Sequence, residues 1–396
     1  MRLGPRVSAA VFLAVLALLA ALAPGVASAQ PSYEPPVWKP APGQNVTTVR
    51  WGPMTIPAAP SMEDPMASAA MPDHGAMPAG ELDNQIALDG GCNPLLSTWG
   101  PVSPYKVSCI PMSIPKPCDD CYITGILPDL VKKGTDTSVN MNNGGMLHHV
   151  VLMNLNRQDA TCPAWGGFKP INWLGLLNGG NERFFAAGNE RTIAQLNTAG
   201  TYGYRVNKGD RWGLIYHLMN YTQQPMDVEF KFTFTWVRKA TPVDPVWLDI
   251  DQCSDSEKKI PAGYSDLEWS TPVLRGGTLV GVGGHAHDHS IAVSLENVTK
   301  KKFSCVSVAG YAPGSTSAPS GPGPGTPGHP VKANTVTTDG HPGTSLDAYM
   351  GSVSDFSPCT PMDQWDVGDT ARIHATYYHP TGVDDAMGIM VAYLKR

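Results

Sequence analysis

The chain has 396 residues, 42% of them hydrophobic, which is enough to bury one large core or two ordinary ones. Its formal charge is -6 and its Lys and Arg are scattered, so no basic stripe for nucleic acid is present. Eight cysteines point to disulfide staples rather than to a cytosolic redox or zinc motif, and the lone CxxC at Cys118 and Cys121 has no second pair to complete a zinc knuckle.

In chain order, Arg2 and Arg6 precede an apolar run that closes on "ASA" at Ala29, the pattern of a secretory signal peptide over residues 1–29. We therefore expect a secreted protein without a stable membrane anchor. Residues 30–91 are rich in Pro, Ala and Met and hold no sustained hydrophobic period, so a flexible leader is expected there. Met54, Met62, Met66, Met71 and Met77 with His74 make that leader a candidate for transient copper capture, although a solvated linker is the favoured reading of the composition.

From residue 92 onward the pattern is one of short strands. In "VEFKFTFTW", Val228, Phe230, Phe232, Phe234 and Trp236 alternate with polar residues, giving one packed and one wet face. "MLHHVVLMNL", "RWGLIYHLMNY", "GTLVGVGGHAHDHSIAVSL", "ARIHATYY" and "MGIMVAYL" read alike, and only "NERTIAQLN" has a helical period. The prolines of "KATPVDPVWLD" suggest a junction. The expected fold is all-β, with two tandem antiparallel sandwiches of jelly-roll type over 92–240 and 241–396 and a Gly/Pro/Ser-rich loop at 308–345.

Histidines fall inside these strands. His148 and His149 are adjacent, so on a regular strand they point to opposite faces; at a bulge they can grip one ion, with His217 supplying a third imidazole. In "GGHAHDHS", His285, His287 and His289 alternate and would share one face. The spacing alone fits zinc or copper. It falls one residue short of the HxHxDH motif of zinc hydrolases, and the strand and helix alternation of that fold is missing.

The HH pair, the later His217, the HxH and the acidic-x-Met of "DAM" before an apolar closing strand occur in an order that resembles the copper type II ascorbate-dependent monooxygenases. These include peptidylglycine alpha-hydroxylating monooxygenase and dopamine beta-monooxygenase. The resemblance covers about residues 92–396 and implies two coppers, one per sandwich, facing across a solvent-filled cleft. It implies an electron-transfer copper on His148, His149 and His217, and an oxygen-binding copper on His285, His287 and Met387, where Met390 faces the other way along the strand. It further implies that an ascorbate-like reductant and O2 hydroxylate a C–H bond of a small molecule, the second oxygen atom leaving as water.

Peptide-amidating members clamp a carboxylate with an Arg before the HxH and an Asn and a Tyr after the Met. Gly283, Ile389 and Val391 stand at those positions, which favours an apolar or aromatic substrate. His289, His374 and His379 have no assigned role. The competing readings are a secreted copper-binding or storage module without turnover, and an adhesion or carbohydrate-binding sandwich whose histidines are structural. Asn45, Asn220 and Asn297 lie in N-x-[ST] contexts.

Overall fold

The computed structural model describes residues 33, 35–36, 38–58, 106–109, 113–163, 180–198, 200–253, 256–311, 353–379 and 381–396. The expected signal peptide, the methionines at 62–77 and most of the loop expected at 308–345 lie outside them. All the described residues belong to one unit, Pro31–Arg396.

The first half contributes β1 (Asn45–Ile56), β2 (Lys106–Cys109), β3 (Cys121–Lys132), β4 (Gly145–Gln158), β5 (Asn181–Ala187), β6 (Ala194–Gln195), β7 (Tyr202–Val206), β8 (Trp212–Asn220) and β9 (Met226–Val237). After these come β10 (Thr241–Asp249), β11 (Lys258–Ile260), β12 (Gly263–Pro272), β13 (Gly277–Ala286), β14 (Ser290–Asn297) and β15 (Lys302–Tyr311). The last five are β16 (Val353–Phe356), β17 (Asp363–Trp365), β18 (Thr370–His379), β19 (Val383–Ala386) and β20 (Gly388–Lys395). The protein is all-β as expected. Among the described residues no α-helix occurs, and no helix is long and apolar enough to cross a membrane.

One long sheet runs β1-β9-β3-β7-β10-β20-β13-β17, with β6 attached to β3. A sheet ordered β2-β8-β4-β5 and another ordered β12-β18-β14-β15-β16 accompany it, with β11 and β19 as a small ribbon. The alternation in β9 works as read: Phe230, Phe232 and Phe234 are buried in one core with Leu147, Leu152, Leu214 and Leu218 of β4 and β8. A second core gathers Val293 and Leu295 of β14 and Ile373 and Tyr377 of β18.

β20 explains how the two halves meet. Met387, just before it, and Ile389, Val391 and Tyr393 pack into the first core, whereas Met390, Ala392 and Leu394 pack into the second. A strand buried on both faces needs a continuous apolar run rather than alternation, and "MGIMVAYL" supplies one. β10 pairs with β20 on one side and, in parallel, with β7 on the other, so the long sheet is continuous across the 240/241 junction. The division into two domains there remains a proposal about organisation.

Three expectations are corrected. Part of the leader is ordered: β1 pairs along β9 from Asn45↔Trp236 to Ile56↔Met226, and the Trp38 indole sits against Gly125. Its hydrophobic period was hidden because the register shifts between Trp51 and Met54, around Gly52 and Pro53. Met54 is buried in the first core and is no part of a solvated copper-capturing segment. The first residues of the loop expected at 308–345 are strand instead, since β15 runs to Tyr311. The segment "NERTIAQLN" does not coil. Arg191 has φ 49°, and its buried guanidinium donates to Asp129 Oδ1 (3.1 Å), Asn189 O (2.7 Å) and Val139 O (2.5 Å), which fixes a turn before β6.

Three disulfides join described residues: Cys118–Cys121, Cys162–Cys253 and Cys305–Cys359. The CxxC is therefore a staple, and Cys162–Cys253 ties the segment after β4 to the segment after β10.

Candidate metal centre

His148 and His149 lie on β4, where the pairing with β8 steps from Leu147↔Leu218 to His149↔His217. Two residues of β4 thus oppose one step of β8, the bulge that adjacent histidines need in order to converge. The His148 and His149 rings are 4.1 Å apart between centroids, and the His217 ring lies 4.8 Å from the first and 5.3 Å from the second. These three form one group with ligand nitrogens within 4.8 Å of one another.

His285 is the penultimate residue of β13 and is almost fully buried. Its Nδ1 lies 3.0 Å from Glu190 Oε1, and that carboxylate also accepts the Gly188 N–H at 2.6 Å. The carboxylate fixes the ring so that Nε2 is the nitrogen left for a metal, and Nε2 is buried with no hydrogen-bond partner. A Cβ at Gly188 would lie 2.5 Å from His285 Cε1 and 2.7 Å from His148 O, so only glycine permits this approach of the two halves.

His287 stands one residue past β13. Its Nδ1 contacts the Asp385 carbonyl at 2.5 Å, which again leaves Nε2 for a ligand bond, and Nε2 lies 3.4 Å from His149 Nδ1. Its ring stacks on that of His149 at 5.1 Å and 8°, and lies 4.5 Å from His148. Two further groups follow: His149 with His285 and His287, and His148 with His287 and Asp385. The histidines of the two halves, expected on opposite sides of a cleft, thus meet in one cluster.

Met387 lies next to the pair Ala286↔Gly388, which places its backbone across from that of His287. The Tyr377 hydroxyl holds both: it accepts the His287 N–H at 3.1 Å and the Met387 N–H at 3.0 Å, and donates to the Met387 carbonyl. Burial pushes the Tyr377 phenol above its ordinary pKa, so it stays protonated and can make all three bonds.

The three alternate histidines do not share one face. β13 ends at Ala286, the Ser290 N–H bonds to the His287 carbonyl at 3.2 Å, and His289 takes φ 68°. That turn carries His289 to the His379 ring, 4.3 Å away between centroids and tilted by 55°. His374 lies on the outer sheet among Asp266, Glu268 and Glu296, outside the cluster.

Glu190, Tyr377 and Gly188 escaped sequence reading, and Asp385 entered it only as the acidic residue of "DAM", with no role given.

The donor set suits copper. Five imidazoles match the nitrogen ligation that copper accepts, whereas structural zinc wants a closed tetrahedron. No protein-family model matches the chain. It is similar to the Probable copper-dependent oxygenase M1 of Phoma sp., with 25% identity over 296 residues, covering 71% of this chain and 65% of that protein. It is also similar to the Probable copper-dependent oxygenase clz3 of Cochliobolus lunatus, with 24% identity over 275 residues, covering 66% of this chain and 75% of that one. The likeness to the major capsid protein P2 of bacteriophage PM2 has a TM-score of 0.26 at 11% identity over 73% of this chain and 91% of that one, too slight to carry an argument.

Proposed function

We propose that the protein is a secreted copper-dependent oxygenase that hydroxylates a C–H bond of a small apolar or aromatic molecule. The observation that carries this reading is that five imidazoles meet in overlapping groups, one of which joins His149 and His287 to His285, whose buried Nε2 has no hydrogen-bond partner. The similarity to two proteins named as copper-dependent oxygenases supports it independently. Copper, when bound, supplies one-electron chemistry with dioxygen. The overall balance consumes substrate, O2, two electrons and two protons, and yields the alcohol and water, with an ascorbate-like reductant as the electron source.

The residues of this chain have separable roles in the proposal. His148, His149 and His217 hold one of two ions, and His285 and His287 the other, with Met387 as its sulfur ligand. Glu190 and the Asp385 carbonyl orient the imidazoles. On the strand that leads to His285, a small groove of about 70 Å³, partly open to solvent, is bordered by Gly281, Gly283, Val391, Tyr393, Phe185 and Thr192. Its mainly apolar lining suits an apolar group better than a charged one. The missing side chains at Gly281 and Gly283 leave it open, and no carboxylate clamp lies along it. The disulfides fit an oxidising compartment.

The test is elemental analysis for copper, followed by ascorbate-driven oxygen consumption matched to a hydroxylated product carrying label from ¹⁸O2. We expect stoichiometric copper in the wild type and no labelled product from His285→Ala. Copper retention without labelled product from a broad set of apolar substrates would favour the storage reading. Absence of stoichiometric copper would end both.

A further inference from the structure

We propose that His149 bridges the two groups of ligands, presenting Nε2 to the His148 and His217 side and Nδ1 to the His285 and His287 side, so that two coppers form one magnetically coupled centre. His149 is a member of both all-histidine groups. Its Nε2 lies 3.1 Å from His148 Nδ1, and its Nδ1 lies 3.4 Å from His287 Nε2. Each ring nitrogen therefore approaches a member of a different set, His148 on one and His287 on the other, and the rings of those two lie 4.5 Å apart.

The other members of the second group have only one nitrogen to offer. His285 Nδ1 is committed to Glu190, and His287 Nδ1 to the Asp385 carbonyl. A metal held by these two through Nε2 sits on the Nδ1 side of His149. A metal held by His148 and His217 sits on its Nε2 side.

A neutral imidazole has one ring nitrogen with a free lone pair and one bearing a proton. Binding through both nitrogens releases that proton to solvent, forms a second nitrogen–metal bond and changes no oxidation state. His149 is only half-buried, so water can take the proton. Two adjacent cations favour the anionic ring.

This inference rests on the copper reading above but goes beyond it, because two ions on opposite sides of a cleft would be magnetically independent. The experiment loads metal-free protein with cupric ion, measures copper per chain, and compares it with the spin count from low-temperature electron paramagnetic resonance. With two coppers bound, the expected spin intensity falls well below the copper present, or a half-field line reports a close pair. His149→Ala, checked for folding by circular dichroism, should give full spin intensity for whatever copper it retains.

A wild-type protein holding two coppers at full, isolated spin intensity would overturn the bridge and leave the oxygenase reading standing. So would a single bound copper, or coupling that survives in His149→Ala. A wild type that binds no copper would overturn both. If His149→Ala does not fold, the wild-type spin count decides alone.

Discussion

Glu190 does its work through one hydrogen bond. Its carboxylate fixes the rotation and tautomer of His285, and Gly188 secures the carboxylate in turn. Such supporting carboxylates typically contribute about 10- to 100-fold in metal affinity. Glu190→Ala should therefore weaken copper binding by about that factor while the fold persists, as read by competition with a chelator of known affinity. An unchanged affinity would mean that packing alone orients His285. Tyr377 acts on the backbone instead. Tyr377→Phe strands the His287 and Met387 N–H groups and the Met387 carbonyl in a buried place, which should cost about 1–3 kcal/mol for each group left without water. Urea denaturation measures it, and a loss below about 0.5 kcal/mol would show that water replaces the hydroxyl.

At the scale of elements, the site is made by interruptions of regular strands. β4 bulges where its two histidines must converge, and β13 ends so that His287 enters a turn while His285 remains in the sheet. The same strand carries Gly281 and Gly283, which pair with Tyr393 and Val391 of β20 and leave the small groove unfilled. A Cβ at Gly283 meets only Thr192 Cγ2 at 3.6 Å, and its φ is not left-handed, so a larger side chain can be carried without backbone strain. Gly283→Leu should keep the fold and the copper and lose hydroxylation of small apolar substrates by about 10-fold or more, the scale of a few methylenes excluded from a pocket. Turnover at the wild-type rate in that variant would show that the substrate binds elsewhere.

For the whole molecule, the decisive feature is that the two halves share one sheet and one cluster. β20 packs into both cores, and Cys162–Cys253 closes a 91-residue separation next to the shared β10. A cross-link over a loop of that length is worth roughly 2–5 kcal/mol. Removing it with Cys162→Ser and Cys253→Ser should lower stability by roughly that amount and reduce the copper retained on warming, since the ligand sets must separate when the halves do. Equal stability with and without the bridge would mean that the shared sheet alone holds the halves together.

The amino-acid sequence by itself determined the elements and the donor types. Period-two alternation in β9, the apolar run of β20, the adjacent histidines and the HxH are local patterns, written within a few residues by backbone geometry. β1 stayed hidden because a bulge broke its period, and His289 was misplaced because one left-handed residue turned it off the shared face. Only the tertiary structure decided that the two histidine groups meet, that Glu190 backs His285 across 95 residues, and that His149 reaches His287 across 138. Those contacts follow from how sheets stack, and a contact between distant segments leaves no period in either of them.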